Sequence, residues 1–190
     1  MNALLAFLLS VGVSLLSFTL IMVWYIVPHL SKQPRLQALL PLVLLHTFRT
    51  VGLVFLFPQE MGGALPPGFA TPAAYGDLLT TGLALLAVFA LRFRPGLALP
   101  LVWLFNFVGT TDLLFAMYEG AVLGLPFFHL GVAWFLLTWY VPLLLVSHVI
   151  VFWLLLRAAP SAQVEREPSF LEQGGDQMSI RGDVVNELKG

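Results

Sequence analysis

The stretch ALLAFLLSVGVSLLSFTLIMVWYIV, residues 3–27, contains no charged residue. A helix needs about 20 mostly apolar residues to cross the hydrocarbon core of a bilayer, and this stretch is long enough. It differs from a secretory signal peptide, because no Lys or Arg precedes Lys32, the apolar run is too long and no A-x-A cleavage site closes it. We therefore predict a retained transmembrane helix.

Long apolar segments recur along the rest of the chain. Four more meet the same length criterion: residues 36–57, 72–91, 97–117 and 128–156. Together they predict an all-α integral membrane protein, in which residues 1–157 form a bundle of five transmembrane helices. Residues 158–190 contain too little apolar surface to fold alone, so they predict a disordered polar tail.

The composition supports a membrane protein. Of the 190 residues, 59% are hydrophobic and 10% are charged, and the mean hydropathy is +0.92. Soluble domains average about 25% charged residues. This composition excludes a soluble globular enzyme, a nucleic-acid binder and a chain that is disordered throughout. Cysteine is absent, which excludes disulfides, thiolate metal sites and cysteine nucleophiles.

The basic residues near the predicted helix ends all fall on one side. Lys32 and Arg35 lie in the first connection, Arg92 and Arg94 lie in the third, and Arg157 ends the fifth segment. The second and fourth connections contain no Lys or Arg. Because cytoplasmic loops are enriched in these residues, we predict an N-outside, C-inside topology with a cytoplasmic tail. We expect a multi-pass protein of the cell membrane, specifically a bacterial inner membrane.

Polar residues inside the predicted spans fall at two depths, given the helical rise of about 1.5 Å per residue. An outer layer consists of Arg49, Asp77 and Asp112, and a middle layer consists of His46, Asn106 and His148. Ionisable residues inside spans are energetically unfavourable and are functional candidates by default. The two layers are therefore the candidate site.

Arg49 needs a carboxylate partner, because an arginine facing lipid is unfavourable. Asp112 is the best match in depth and Asp77 is the next. We expect Asp77 to lie near the N-terminus of the third helix, where the helix dipole stabilises a carboxylate. An Arg49–Asp112 pair has two interpretations: an ion pair that fixes helix packing, or part of a functional site.

Helical periodicity indicates which of these residues share a helix face. His46, Arg49 and Thr50 have the spacing i, i+3, i+4 and should share one face of the second helix. Gly109 should allow another helix to approach the fourth helix closely. Pro142 should kink the fifth helix, because proline cannot donate the helical hydrogen bond.

The two histidines of the middle layer offer a further interpretation. His46 and His148 lie at one depth on different predicted helices, a placement compatible with a bis-histidine haem b site. The alternative is that each histidine hydrogen-bonds a neighbouring helix. We expect no other cofactor and no metal site.

The sequence contains no Gly-rich phosphate loop, no H-E-x-x-H and no G-x-S-x-G, and its inner loops are too short for a catalytic domain. We therefore assign no catalytic residues; these absences weigh against an enzyme but leave the question open. The stretches HTFR (46–49), YGD (75–77) and NFVGTTD (106–112) resemble motifs of a small bacterial membrane family without an assigned function. That resemblance implies no particular activity.

Three hypotheses about function follow. The leading one is that Arg49, Asp77, Asp112, His46 and Asn106 bind or relay a small ion, a proton or a polar ligand. The second is a haem b electron carrier, and the third is a structural or assembly subunit of a membrane complex. The expected partners are the lipid bilayer and, through the small-residue stripe of Ser10, Ser14 and Ser17, a second copy or another membrane protein.

Overall fold

The computed structural model describes residues 2–59 and 63–157. Within these two ranges all regular secondary structure is helical and no strand occurs. Five helices are long and apolar enough to cross a membrane, which confirms the predicted number and type of elements. They are α1 (Ala3–Leu30), α2 (Arg35–Leu56), α3 (Pro67–Phe93), α4 (Pro95–Val122) and α5 (Ala133–Leu156). The predicted disorder of residues 158–190 lies outside the described residues.

Helix α3 begins at Pro67 rather than at the expected Pro72. Proline is well suited to the first turn of a helix, because the N–H group that it lacks has no partner there and its φ angle is already helical. Pro72 is then accommodated inside α3. The start at Pro67 lengthens α3 at the end that carries Asp77, which changes the environment of that residue.

Glycines determine where α4 ends and where α5 begins. Helix α4 continues to Val122, beyond the expected residue 117, and Gly124 follows with a left-handed φ of 68°. Such a glycine commonly ends a helix, because it has no Cβ to oppose that conformation. A short 3₁₀ turn (Leu125–Phe127) and Gly131, with a φ of 50°, then delay the start of α5 to Ala133 rather than residue 128.

Helix α2 changes its winding in the middle. Residues Arg35–Leu45 are α-helical, and the next 11 residues, His46–Leu56, form a 3₁₀ helix. Runs of 3₁₀ helix longer than about four residues are uncommon. With three residues per turn, every third residue falls on one face, and the buried residues of this segment have that spacing: His46, Arg49, Gly52 and Phe55. Thr50 is exposed, so the expectation that it shares this face is wrong: it assumed an α-helical period.

Two helices contain a widened π-helical turn. One covers Met22–Ile26 in α1 and the other covers Leu136–Tyr140 in α5. Each ends two residues before a proline, Pro28 or Pro142. The proline nitrogen cannot donate to the carbonyl four residues earlier, and the ring clashes with that carbonyl. A wider turn relieves both problems, and in α5 this π turn lies just before Pro142, where the sequence predicts a kink.

The connections group into two ends of the bundle. The basic end carries Lys32, Arg35, Arg92, Arg94 and Arg157, and the loop end carries residues 57–59, 63–66 and 123–132. Helices α2, α3 and α4 pack side by side in chain order, and α5 packs against α2 and α4. Helix α1 packs mainly against α5 and is the least covered: 6% of its apolar window is buried, compared with 33–44% in the others.

The buried core has an apolar cluster in each half, with polar residues between them. The cluster nearer the basic end includes Leu39, Val43, Val102 and Leu154. The cluster nearer the loop end includes Phe55, Phe69, Leu125 and Leu130. The candidate residues lie at the level between these clusters, which determines how they are reached.

Two arginines join the helix ends at the basic end. Arg35 Nε donates to the Leu154 carbonyl at 2.9 Å, and its Nη2 donates to the carbonyls of Leu155 and Arg157. Arg157 Nη1 donates to the Ser31 carbonyl at 2.7 Å. These carbonyls include the last ones of α5, which have no partner within the helix. The two arginines therefore tie the α1–α2 turn to the end of α5.

Candidate ligand and proton site

Arg49 binds two carboxylates from two different helices. Its Nε donates to Asp77 Oδ1 on α3 at 2.6 Å, and its Nη2 donates to Asp112 Oδ2 on α4 at 2.5 Å. The third nitrogen, Nη1, donates to the Gly109 carbonyl at 3.2 Å. The Arg49 side chain is fully buried, whereas each carboxylate side chain is 15% exposed. The structure thus brings Arg49, Asp77 and Asp112 together as a trio, not as the single pair expected from depth.

The trio contains one cation for two anions. The loop-end connections, 57–66 and 123–132, contain no Lys or Arg, and every other Lys or Arg of residues 1–157 belongs to the basic end. With both carboxylates ionised, the trio carries one uncompensated negative charge in a largely buried position. Removing a charge from water is strongly unfavourable unless it is paired. The trio therefore favours the uptake of one positive charge.

Asp77 is not stabilised by the end of its helix. Because α3 begins at Pro67, Asp77 lies well inside it, and the helix dipole acts mainly within the first turn. The expectation that Asp77 sits near the positive N-terminus of α3 is therefore wrong. Arg49 supplies the favourable contact instead.

Two glycines make room for the carboxylates. A Cβ added to Gly52 on α2 would overlap the Asp77 carboxylate, and one added to Gly76 on α3 would overlap the Asp112 carboxylate. Each carboxylate therefore packs against the bare backbone of a neighbouring helix. Sequence reasoning missed both residues, although each glycine lies within three positions of a charged residue inside a predicted span.

A cavity of about 30 Å³ adjoins the trio. Its walls include Arg49, Asp77, Asp112 and the α5 residue Tyr140, together with apolar residues that lie mostly toward the loop end. A site needs about 10–15 Å³ to hold one water molecule, so this cavity has the size of one or two waters. The Tyr140 hydroxyl is buried and has no hydrogen-bond partner among the described residues. Tyr140 is a candidate that no sequence pattern indicated.

In the middle layer, each of the two histidine rings forms a hydrogen bond with a polar side chain of another helix. His46 Nε2 lies 2.8 Å from Ser147 Oγ, and this hydroxyl donates to the Leu144 carbonyl, so His46 is the donor in their contact. His148 Nδ1 lies 2.7 Å from Asn106 Oδ1 and donates to it, since the Asn106 amide nitrogen faces the His148 carbonyl. In neutral form, each ring keeps one nitrogen lone pair, on His46 Nδ1 and His148 Nε2, without a partner among the described residues.

The two rings are in direct contact with each other. Their centroids are 4.1 Å apart, and Phe105 packs against both at 5.0 and 5.4 Å. A haem held by two histidines places its macrocycle between the two rings. The rings leave no space for it, so the geometry does not fit a bis-histidine haem at His46 and His148.

Gly109 connects the two layers. Its carbonyl accepts the hydrogen bond from Arg49, and a Cβ on it would lie 2.7 Å from Thr80 Cγ2 and 3.0 Å from His148 Nε2. A side chain there would therefore push α3 and α5 away from α4. The close approach expected at Gly109 occurs on both sides of α4.

Among the described residues, no group of three or more His, Asp or Glu side chains is placed to hold a metal ion.

The described part of the chain is thus all-helical, with five apolar helices that are each able to cross a membrane, and residues of α2, α3, α4 and α5 surround the buried arginine–carboxylate trio. Residues 6–156 match the family model described as "Domain of unknown function (DUF8737)", and the chain belongs to that family. Neither the curated proteins nor the solved structures contain a significant match.

Proposed function

We propose that the Arg49–Asp77–Asp112 trio binds one small monovalent cation, in exchange with a proton, from the loop end of the bundle. The observation that carries this proposal is a single guanidinium shared by two carboxylates beside a water-sized cavity. The unbalanced charge selects a cation. The small cavity selects a proton, or an ion no larger than ammonium.

The groups around the cavity can satisfy such an ion. Each carboxylate uses one oxygen for Arg49 and keeps a second oxygen as an acceptor. The unpartnered Tyr140 hydroxyl offers another oxygen on the same cavity. A free ammonium ion has four N–H donors, and these three oxygens can accept three of them.

The surroundings favour entry and release at the same end. The middle layer continues the polar residues from Gly109 toward the basic end, through His148 and Asn106. Beyond His46, the apolar cluster with Leu39, Val43 and Leu154 closes this direction. The proposed role is therefore reversible binding from the loop end, not conduction through the bundle in this conformation.

The expected result is a stabilisation by ammonium that depends on the trio. At pH 8 and constant ionic strength, replacing choline chloride with ammonium chloride should raise the thermal unfolding temperature, because choline is too large for the cavity. A ligand at ten times its Kd adds about 1.4 kcal/mol to the free energy of unfolding. The gain should shrink at pH 5.5, because protons compete for the same carboxylate oxygens. The measurement is thermal unfolding of the purified protein in lipid nanodiscs.

Matched variants locate this effect. Asp77→Asn and Asp112→Asn should each abolish the response to ammonium, whereas Glu119→Gln, the same change outside the trio, should keep it. An equal response in all of these proteins would show a non-specific salt effect. A wild-type protein that responds neither to ammonium nor to pH would refute the proposal.

We also propose the orientation that brings the loop end to the outer side. The support is the grouping of Lys32, Arg35, Arg92, Arg94 and Arg157 at one end, together with the preference of such residues for the cytoplasm. In a bacterial inner membrane, a cytoplasm-active reporter fused after Gly190 should be active and a periplasm-active reporter at the same position should be silent. The reverse pattern would show that the loop end, and the trio with it, faces the cytoplasm.

The other two functions receive less support. The contact between His46 and His148 works against a haem b carrier, and no other described feature favours one. A purely structural trio would stabilise the bundle without responding to cations. The ammonium experiment therefore also separates a binding protein from a structural or assembly subunit.

A further inference from the structure

An apolar groove of about 400 Å³ runs along the loop end beside the charged cavity. Its walls are residues 4–11 of α1, residues 116–121 of α4, the connecting segment 124–127 and the first half of α5. It exists because α1 packs against α5 and makes little contact with α4. In a bilayer its open side would face the acyl chains.

The groove and the charged cavity share a wall. Ala116, Leu137 and Val141 line both spaces. Ala116 is one helical turn from Asp112 on α4, and Leu137 is one turn from Tyr140 on α5. Only small or apolar side chains therefore separate the groove from the carboxylates, and the smallest of them lies on the side of Asp112.

We propose that the cation bound by the trio is the head group of a membrane-borne amphiphile, a primary alkylammonium whose chain lies in this groove. This inference rests on the proposed cation site. The charge of the trio selects a cationic head, and the cavity limits it to a group the size of ammonium. The adjoining groove selects one long alkyl chain.

The dimensions of the groove agree with such a chain. A cavity of about 150 Å³ is enough to bind benzene, so about 400 Å³ accommodates a chain of roughly ten to twelve carbons. Gly120 and Ala121 keep the α4 wall flat, because neither presents a large side chain. The ligand would enter sideways from the outer leaflet, through the open side of the groove.

Three probes test the proposal on the unmodified protein in nanodiscs: dodecylammonium, methylammonium and dodecanol. Concentrations are expressed as mole fractions in the lipid for the two long-chain probes, because their chains partition into the bilayer. Dodecylammonium should compete with ammonium at a lipid mole fraction at least tenfold below any at which dodecanol has an effect, and methylammonium, which has the same head without the chain, should compete from the aqueous phase. Dodecanol, with the same chain but no charge, should not compete.

A variant that fills the groove provides the second test. Ala121→Phe places a ring in the groove from an exposed position, and Thr111→Phe places one on an exposed position of α4 outside it. The first change should weaken dodecylammonium binding at least tenfold and leave methylammonium binding unchanged. The second should alter neither.

The outcomes separate this inference from the proposed function. Binding of methylammonium that requires Asp112, with dodecylammonium binding that Ala121→Phe leaves unchanged, would overturn the amphiphile and leave the cation site intact. Equal binding of dodecanol and dodecylammonium, insensitive to Asp112→Asn, would show that the groove takes an ordinary alkyl chain and would also overturn the proposal. Failure of both amines to bind would refute the cation site itself.

Discussion

Replacing Arg49 with alanine is expected to lower the free energy of unfolding by about 3–5 kcal/mol, the usual effect of leaving a buried charge without its partner. Here two carboxylates lose the same partner, and a carbonyl, that of Gly109, loses its donor. Arg49→Lys should restore only part of the loss, because one ammonium cannot reproduce the two directed contacts of a guanidinium. Thermal or denaturant unfolding in nanodiscs measures the difference.

Removing either carboxylate should be much less harmful. Asp112→Asn leaves Arg49 paired with Asp77 and removes the uncompensated charge, so we expect a loss below about 1 kcal/mol. Asp77→Asn leaves Arg49 paired with Asp112, and we expect a similarly small loss of stability. If Asp112→Asn were as destabilising as Arg49→Ala, Arg49 and Asp112 would form an isolated pair and Asp77 would contribute nothing. A large loss for Arg49→Ala together with a small loss for each Asp→Asn change would therefore distinguish the trio from an isolated ion pair.

Gly76→Ala is expected to have the second-largest effect. The new Cβ would overlap the Asp112 carboxylate, so Asp112 must move away from Arg49 or α3 must move away from α4. Overpacking a tight site costs about 1–3 kcal/mol, and the weakened ion pair adds to this loss. The ammonium response should disappear together with the stability, because a displaced Asp112 carboxylate can serve neither Arg49 nor the cation.

Gly82→Ala is the matched control on the same helix. A Cβ at Gly82 meets no atom within 4 Å, so the change should be neutral or should stabilise α3 by up to about 1 kcal/mol through helix propensity. Equal effects of the two substitutions would mean that Gly76 serves helix flexibility and not the packing of Asp112. Gly52→Ala should resemble Gly76→Ala, through its contact with Asp77.

Local sequence was enough to predict the five helices. Each helix is defined by the apolar content of its own residues, and hydropathy reports that content directly. The helix ends were harder to predict, because more than one proline or glycine can suit the same end of a helix. Pro67 and Pro72 both suit a first turn, and only the structure shows that α3 begins at Pro67.

Sequence also singled out the polar residues within the helices, since Arg49, Asp77, Asp112, His46, Asn106 and His148 stand out in apolar segments. It could not say which of them meet. Asp77 lies 28 residues from Arg49 and Asp112 lies 63, so their contacts depend on the rotation and register of three separate helices. Depth alone matched Arg49 with one partner, whereas its three nitrogens reach groups on α3 and α4 at once.

The winding of α2 was decided by the tertiary structure. An α-helical period would turn Phe55 away from the face that carries His46, because each step of three residues falls about 60° short of a full turn. The 3₁₀ winding keeps His46, Arg49, Gly52 and Phe55 in line, so one helix face serves both polar layers. The contacts of those residues with α3, α4 and α5 are non-local, and no local pattern records them.

The sequence by itself thus determined the helical segments and the polar residues within them, because both are properties of single apolar segments. Only the tertiary structure decided that Arg49 joins two carboxylates, that Tyr140 faces their cavity and that His46 touches His148. The packing roles of Gly52 and Gly76 also depend on the tertiary structure, since the space beside a glycine is set by the helix that packs against it. Each of these contacts depends on how helices pack, a choice that follows from the sum of many side-chain fits across the bundle.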